Sequence, residues 1–232
     1  MTKSFPVECI LFDLDGTLFD TAQAIRKAVQ ETADTFQLDL DIDQVINDTL
    51  NMLEGRKSRL NFLIIASHYG FLSWKNPLKI FSIKKFYEER FSAYTGESTL
   101  LPGVREALER LSHFRLAVVT ARGKEWTYTS LKEHKIASCF EVIVTTDDVK
   151  KEKPHPAPIL EAVSLLGAEP AACLYVGDLP SDMRAGKRAG VKTAAVLTGL
   201  SSRERLEQEN PDFIFENIAE LASFLSSDWI KD

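Results

Sequence analysis

Two aspartates lie two residues apart, directly after the first apolar run of the chain. Residues 7–12 read VECILF, which predicts a buried strand, and Asp13 and Asp15 follow it in the segment DLDGT. Strand alternation puts both carboxylates on one side, and Gly16 lets the chain turn. In such a pair one carboxylate can act as nucleophile or metal ligand, while the other donates and accepts a proton. The alternative is an ordinary turn capped by an aspartate.

A second pair of acids follows a later apolar run. Residues 176–182 read VGDLPSD, so Asp178 stands after a glycine and Asp182 lies four residues further on, at the start of a helical pattern. Carboxylates are ligands that Mg²⁺ prefers, usually one or two of them together with water and phosphate oxygens. The alternative is that Ser181 or Asp182 only caps the helix.

A hydroxyl and an ammonium group complete the set of polar side chains that could meet at one place. Thr120 ends the apolar run LAVVT, and Lys153 begins the loop segment KPHPAP. A hydroxyl that donates a hydrogen bond and an ammonium that neutralises developing charge both suit a phosphoryl group. Each signal is weak alone, because a lysine in a polar loop usually belongs to the surface.

The elements that must position these side chains alternate between strand and helix. Helical patterns at residues 104–111 and 159–166 separate the apolar runs that predict strands. Those runs lie at residues 7–12, 116–120, 142–146 and 173–176, with weaker ones at 193–197 and 213–215. This alternation predicts an α/β fold with a doubly wound, mainly parallel sheet, whose ligands bind beyond the carboxyl ends of the strands.

Residues 20–95 interrupt the alternation and predict an inserted, all-helical domain. Helical patterns cover residues 22–36 and 83–92, and no convincing strand is visible between residues 20 and 95. We therefore expect a catalytic core of residues 1–19 and 96–232. Within the insert, Arg56 and Lys57 belong to a basic segment that either contacts an anionic substrate or is a solvated turn.

Composition excludes several classes of function. The chain has 232 residues with 28 lysines and arginines against 34 aspartates and glutamates, and a net charge of −6 argues against a nucleic-acid partner. No apolar run approaches the ~20 residues of a membrane-spanning helix. We expect a cytoplasmic protein, monomeric or homodimeric.

Taken together, the motifs resemble the haloacid dehalogenase superfamily, specifically its phosphatases with a helical cap inserted after the first strand, similar to phosphoglycolate phosphatases. The matching segments occur in family order and span most of the chain. They are FDLDGTLFDT at 12–21, VVT at 118–120, KPHPAP at 153–158 and VGDLPSDMRAGKRAGV at 176–191.

The resemblance implies a Rossmann-like core, a C1-type cap over residues 20–95, and a role for each motif. By that resemblance Asp13 is the nucleophile and Asp15 the general acid and base. Thr120 and Lys153 bind the phosphate, and Mg²⁺ is the cofactor. Its ligands would come from the four acids Asp13, Asp15, Asp178 and Asp182. Because Asp15 is present, the resemblance points to phosphoryl transfer rather than to dehalogenation or phosphonate cleavage.

One position departs from the family pattern. Asn usually follows the Ser or Thr of the second motif, whereas here Thr120 is followed by Ala121 and Arg122. We expect backbone N–H groups at Ala121 and beyond to contact phosphate instead. Arg122 either binds the substrate through two hydrogen bonds or lies in solvent.

Two other functions use similar acids. A sugar-phosphate mutase or phosphotransferase stays open as an alternative to a phosphatase. A receiver-type phosphorylation switch does not fit, because its phosphoacceptor does not follow the first strand and it has no 76-residue helical insert. The resemblance implies a small phosphorylated metabolite as the substrate, which stays open among phosphoglycolate, pyrophosphate, a nucleoside monophosphate and a sugar phosphate.

Overall fold

The chain divides into two compact units. The structure, a computed structural model, describes residues 7–46, 77–96 and 99–228. One unit consists of Met1–Asp20 with Thr99–Asp232, and the other of Thr21–Ser98. None of the helices in the described part of the chain is long and apolar enough to cross a membrane.

The larger unit contains a six-stranded sheet. Its strands are β1 Cys9–Phe12, β2 Arg115–Val119, β3 Val142–Val144, β4 Cys173–Gly177, β5 Lys192–Val196 and β6 Phe213–Phe215. The strand order is β3-β2-β1-β4-β5-β6, and every neighbouring pair is parallel. The prediction of a doubly wound parallel sheet is therefore confirmed. The order reverses between β1 and β4, which is where ligands bind in folds of this type.

The strands differ from the predicted runs by one or two residues at their ends. β1 begins at Cys9 rather than at residue 7, and β2 ends at Val119, so Thr120 is the first residue beyond it. The parallel register pairs Phe12 with both Val118 and Val176, so these three strands reach the same level.

Helices cover both faces of the sheet because its side chains alternate between two apolar cores. On one face Ile10 and Phe12 of β1 belong to the core that includes residues of α3 Val104–Arg110 and α8 Ile218–Asp228. On the other face Cys9 and Leu11 join residues of α5 Ala157–Leu166 and α6 Pro180–Ala189. Burial on both faces explains why the strands read as continuous apolar runs. The remaining helices of this unit are α4 Lys124–Glu133 and α7 Arg203–Gln208.

The smaller unit contains two long helices in its described part. They are α1 Ala22–Phe36, which has the predicted bounds, and α2 Pro77–Gly96, which is longer than the predicted 83–92. The rings of Phe36 and Phe86 meet edge to face, with centroids 5.7 Å apart.

Candidate active site

The polar residues singled out in the sequence lie just beyond the carboxyl ends of neighbouring strands. Asp13 follows β1, Thr120 follows β2 and Asp178 follows β4, while Lys153 belongs to the loop before α5. Because the central strands are parallel, these ends lie along the same edge of the sheet.

Three aspartates form a buried cluster at this edge. One carboxylate oxygen from each of Asp13, Asp178 and Asp182 lies within 4.8 Å of the others, and all three residues are buried. Lys153 is the counter-ion, because its Nζ lies 2.7 Å from Asp13 Oδ1 and 2.7 Å from Asp182 Oδ1. It also donates a hydrogen bond to the hydroxyl of Tyr175 at 3.0 Å. Each of the three N–H groups of the ammonium therefore has an acceptor.

Asp178 differs from Asp182 in how its oxygens are used. Asp182 Oδ2 accepts a hydrogen bond from the Leu179 backbone N–H at 3.0 Å, so Asp182 caps α6 as well as pairing with Lys153. Asp178 Oδ2 lies 3.4 Å from the Leu200 N–H, whereas its buried Oδ1 has no hydrogen-bond partner among the described residues. A buried carboxylate oxygen without a partner is costly, so this atom is available as a ligand for a cation.

The balance of charges at the site also favours a bound cation. Three carboxylates face one ammonium, and hard oxygen donors of this kind suit Mg²⁺. Burial raises the pKa of Asp13 to about 7, with the charges of Asp182 and Asp15 adding to the rise and Lys153 opposing it. Burial likewise raises the pKa of Asp178 well above its usual value, helped by the charge of Asp182. The residues therefore fit a divalent cation that would offset the excess negative charge.

Lys153 carries a positive charge in this environment. Burial by itself would lower the pKa of its ammonium, but the charges of Asp13 and Asp182 outweigh burial and raise that pKa well above its usual value. A fixed cation beside Asp13 can neutralise part of the charge that a bound phosphoryl group brings.

Asp178 and Asp182 fit into the site because the neighbouring backbone positions are glycines, which have no side chain. A Cβ atom on Gly199 would lie 1.7 Å from Asp178 Oδ2, and one on Gly177 would lie 2.6 Å from Asp182 Cβ. Gly16, with a φ of +74°, closes the turn after Asp15, and a Cβ atom there would lie 2.4 Å from Asp178 Oδ2. The backbone approaches both carboxylates too closely for any side chain.

The carboxylate of Asp15 lies outside this cluster and pairs with Arg122. Arg122 Nε donates to Asp15 Oδ2 at 2.6 Å, and Nη2 donates to Oδ1 at 3.0 Å. The guanidinium also lies over the ring of Trp126, 4.5 Å from its centroid. Arg122 was expected to bind substrate or to lie in solvent; its side chain is only 17% exposed and pairs with Asp15, so it does not lie in solvent, and a contact with substrate stays a prediction. Among the described residues, the carboxylates that lie close enough together to share a metal ion are those of Asp13, Asp178 and Asp182, and the role of Asp15 as a metal ligand stays a prediction.

Thr120 is buried, and Ala121 beyond it is exposed. The backbone N–H of Arg122 donates to Thr120 Oγ1 at 3.1 Å, so this donor, one of those expected to contact phosphate, is already engaged. Arg56 and Lys57, predicted as cap residues that contact the substrate, lie outside the described residues.

Two features of the site were missed in the sequence. Tyr175 lies within the apolar strand segment CLYVG and looked like ordinary core, yet its hydroxyl contacts Lys153 and lies 3.3 Å from Asp182 Oδ1. The loop after β5 is the other feature, because Thr198 Oγ1 donates to the Gly16 carbonyl at 2.6 Å and Gly199 lies against Asp178. The only available signals were one hydroxyl in an apolar run and a glycine after the fifth strand.

Comparison with known proteins assigns the chain to a family. The family model of haloacid dehalogenase-like hydrolases matches residues 10–196. Pyrophosphatase PpaX from Bacillus cereus is 33% identical over 222 residues, covering 95% of this chain and 97% of that protein.

Two solved structures share the fold. A haloacid dehalogenase-like family hydrolase from Streptococcus pneumoniae superposes with a TM-score of 0.73 at 23% identity, covering 95% of this chain and 99% of the other. A predicted phosphoglycolate phosphatase from Haemophilus somnus gives a TM-score of 0.73 at 24% identity, covering 94% of this chain and 98% of the other. Since the family model spans most of the chain and the fold and motifs agree with it, the chain belongs to the haloacid dehalogenase-like hydrolases.

Proposed function

We propose that this hydrolase is a Mg²⁺-dependent phosphatase that cleaves a small phosphate ester or pyrophosphate through an aspartyl-phosphate on Asp13. The observation that carries the proposal is the pairing of the buried Asp13 carboxylate with Lys153, in a cluster with Asp178, whose Oδ1 has no hydrogen-bond partner among the described residues. A buried carboxylate, its ammonium partner and a carboxylate oxygen without a hydrogen-bond partner at the edge of the sheet support the roles of nucleophile, phosphate ligand and metal ligand that we propose for them.

The first half of the reaction forms the covalent intermediate. The Asp13 carboxylate attacks phosphorus, and the bond from phosphorus to the leaving oxygen breaks as its electron pair moves to that oxygen. Asp15 donates a proton to the leaving oxygen. Lys153 and the Thr120 hydroxyl bind the phosphoryl oxygens on which charge develops.

The second half regenerates the enzyme. Asp15, now a carboxylate, removes a proton from water as the water oxygen bonds to phosphorus and the bond between phosphorus and Asp13 breaks. Asp178 and Asp13 would hold Mg²⁺, which when bound would offset the negative charge of the phosphate oxygens and so let the Asp13 carboxylate approach phosphorus. Asp182, both of whose oxygens are engaged, contributes mainly by holding Lys153 in place.

The substrate proposal rests on the comparisons and on the insert. Pyrophosphate is our first candidate, because the relative from Bacillus cereus is named a pyrophosphatase. Phosphoglycolate, nucleoside monophosphates and sugar phosphates are the other members of the panel to be tested. We assign the helical insert of residues 20–95 the cap role, in which it would select among these leaving groups.

The test is phosphate release from this panel with and without Mg²⁺, with Asp13→Asn as the blank. We expect metal-dependent release from one compound well above the rest and no release by the variant. Release without metal, or turnover by Asp13→Asn, would contradict the proposal. Phosphoryl transfer to an added sugar in place of release to water would instead identify a mutase or phosphotransferase.

A further inference from the structure

We infer that Arg122 is a positioning residue for the general acid and base Asp15; the inference rests on the proposed function. Two parallel hydrogen bonds of 2.6 and 3.0 Å join the guanidinium to both oxygens of the carboxylate. A bidentate pair of this kind fixes the plane of the carboxylate as well as its position. Arg122 therefore sets the direction in which the Asp15 oxygens point.

The pairing leaves Asp15 able to move protons. Each carboxylate oxygen has two lone-pair sites, and the pair with Arg122 uses one on each oxygen. One site per oxygen stays available for a proton that travels to the leaving group or arrives from water. Without a partner, the side chain of Asp15, which is 31% exposed, would be free to leave this orientation.

The guanidinium of Arg122 is held in place by an aromatic ring that packs against the core. It lies 4.5 Å from the centroid of the Trp126 ring, and that ring meets the buried Phe19 edge to face at 5.9 Å. A cation over an aromatic face is attracted by the ring electrons, more strongly where water is excluded. The side chain of Arg122 is only 17% exposed, so it is not an ordinary surface arginine.

The backbone of Arg122 is fixed as well. Its N–H donates to Thr120 Oγ1, and its carbonyl accepts from the Thr146 N–H at 3.1 Å. Two residues on, the Lys124 N–H donates to Asp147 Oδ2 at 2.7 Å. Hydrogen bonds thus join the loop that carries Arg122 to the end of β2 and to the loop after β3. They fix the backbone position from which the Arg122 side chain extends.

The test compares Arg122→Ala and Arg122→Lys with a matched control, Arg115→Ala. Arg115 also forms a bidentate pair with a carboxylate, that of Glu141, but it begins β2, at the opposite end of the strand from Thr120. We expect Arg122→Ala to lower kcat for an alkyl phosphate by about 10- to 100-fold, part of the contribution usual for general acid–base catalysis, with KM changed less than about twofold. Arg122→Lys, which can form one of the two hydrogen bonds, should recover part of the loss, and Arg115→Ala should keep the wild-type kcat.

The leaving group separates a positioning role from a structural one. Nitrophenolate departs without a proton, so the formation of phosphoenzyme from 4-nitrophenyl phosphate should be nearly unaffected by Arg122→Ala, while its hydrolysis slows. Stopped-flow measurement should then show a burst of nitrophenolate followed by a slow steady rate. A merely destabilised fold would lower the rate for both substrates equally and give no burst.

A double-mutant cycle with Asp15→Asn decides whether Arg122 acts through Asp15. We expect Arg122→Ala to have no further effect on kcat in the Asp15→Asn background. An equal loss in both backgrounds, a change confined to KM, or a wild-type kcat for Arg122→Ala would overturn the inference. Full activity of Asp15→Asn alone would instead overturn the proposed function, and the inference with it.

Discussion

Gly199 is the position at which the smallest change should do the most damage to the site. A Cβ atom there would lie 1.7 Å from Oδ2, 2.3 Å from Cγ and 2.6 Å from Cβ of Asp178. Carbon atoms in contact prefer a separation of about 3.5–4.0 Å. Because the clash extends from the carboxylate oxygen to Cβ, rotation of the Asp178 side chain cannot relieve it. Either Asp178 or the backbone at Gly199 must therefore move.

The size of the effect follows from the overlap. Relieving a 1.7 Å contact requires a shift of more than about 1 Å, and a misplacement of about 1 Å at an active site can lower the rate on the order of 100-fold. We therefore expect Gly199→Ala to lower kcat/KM about 100-fold and to raise the Mg²⁺ concentration needed for half-maximal rate. The strain of overpacking should also cost about 1–3 kcal/mol of stability.

The assay is phosphate release across a Mg²⁺ titration, with thermal unfolding followed by circular dichroism. Gly96→Ala is the control, because among the described residues a Cβ atom on Gly96 would meet nothing within 4 Å apart from its own helix and chain neighbours, and Gly96 lies in the smaller unit. It should leave both kcat/KM and the Mg²⁺ requirement unchanged. If Gly199→Ala keeps the wild-type rate and metal requirement within about twofold, the close approach of this loop to a metal-binding Asp178 is refuted.

Three further predictions concern Asp212, Tyr175 and Asp178. Hydrogen bonds from Lys192 and from the backbone outweigh burial and hold the pKa of Asp212 below its usual value. The stabilisation is therefore present above the unfolded pKa of about 3.9 and is lost as the pH falls through the lower folded pKa. Denaturant unfolding should show Asp212→Asn less stable by about 1–2 kcal/mol at pH 7, with the difference from wild type shrinking as the pH falls below about 4. Tyr175→Phe removes one acceptor from Lys153 while keeping the ring, so kcat should fall about 10-fold with near-normal folding; an unchanged kcat would show that the hydroxyl does not position Lys153. Mg²⁺ should raise the melting temperature of the wild type, because it binds only the folded state, and an equal rise for Asp178→Asn would argue against Asp178 as a ligand.

The architecture of the larger unit could be predicted because its strands are buried on both faces. Such strands read as continuous apolar runs, so segments such as CILF and CLYVG stand out from their polar surroundings. The ends of the strands were harder to predict, since a residue such as Val7 is apolar enough for a strand yet lies outside the hydrogen-bonded part of β1. Helix α1 matched its prediction, whereas α2 continues past the periodic segment at both ends.

Only those residues of the candidate site that belong to local sequence motifs could be predicted. Asp13 and Asp178 directly follow apolar strands, with Asp15 and Asp182 a few residues further on, and parallel topology brings such strand ends together. The pairing of Arg122 with Asp15 joins residues 107 positions apart in the chain, so no local pattern reports it. The role of the Tyr175 hydroxyl could not be predicted for the same reason, because its partner Lys153 comes from a distant loop.

The proposal that Asp13 is the nucleophile is tested most directly by locating the phosphoryl group on the enzyme. The enzyme is mixed with its fastest substrate and Mg²⁺, quenched in acid within a single turnover, digested and examined by mass spectrometry for a phosphoryl group. We expect one phosphoryl group on the peptide that contains Asp13, and none on that peptide from Asp13→Asn. Turnover without any phosphopeptide, or a phosphoryl group on a different residue, would contradict the central claim that Asp13 is the nucleophile.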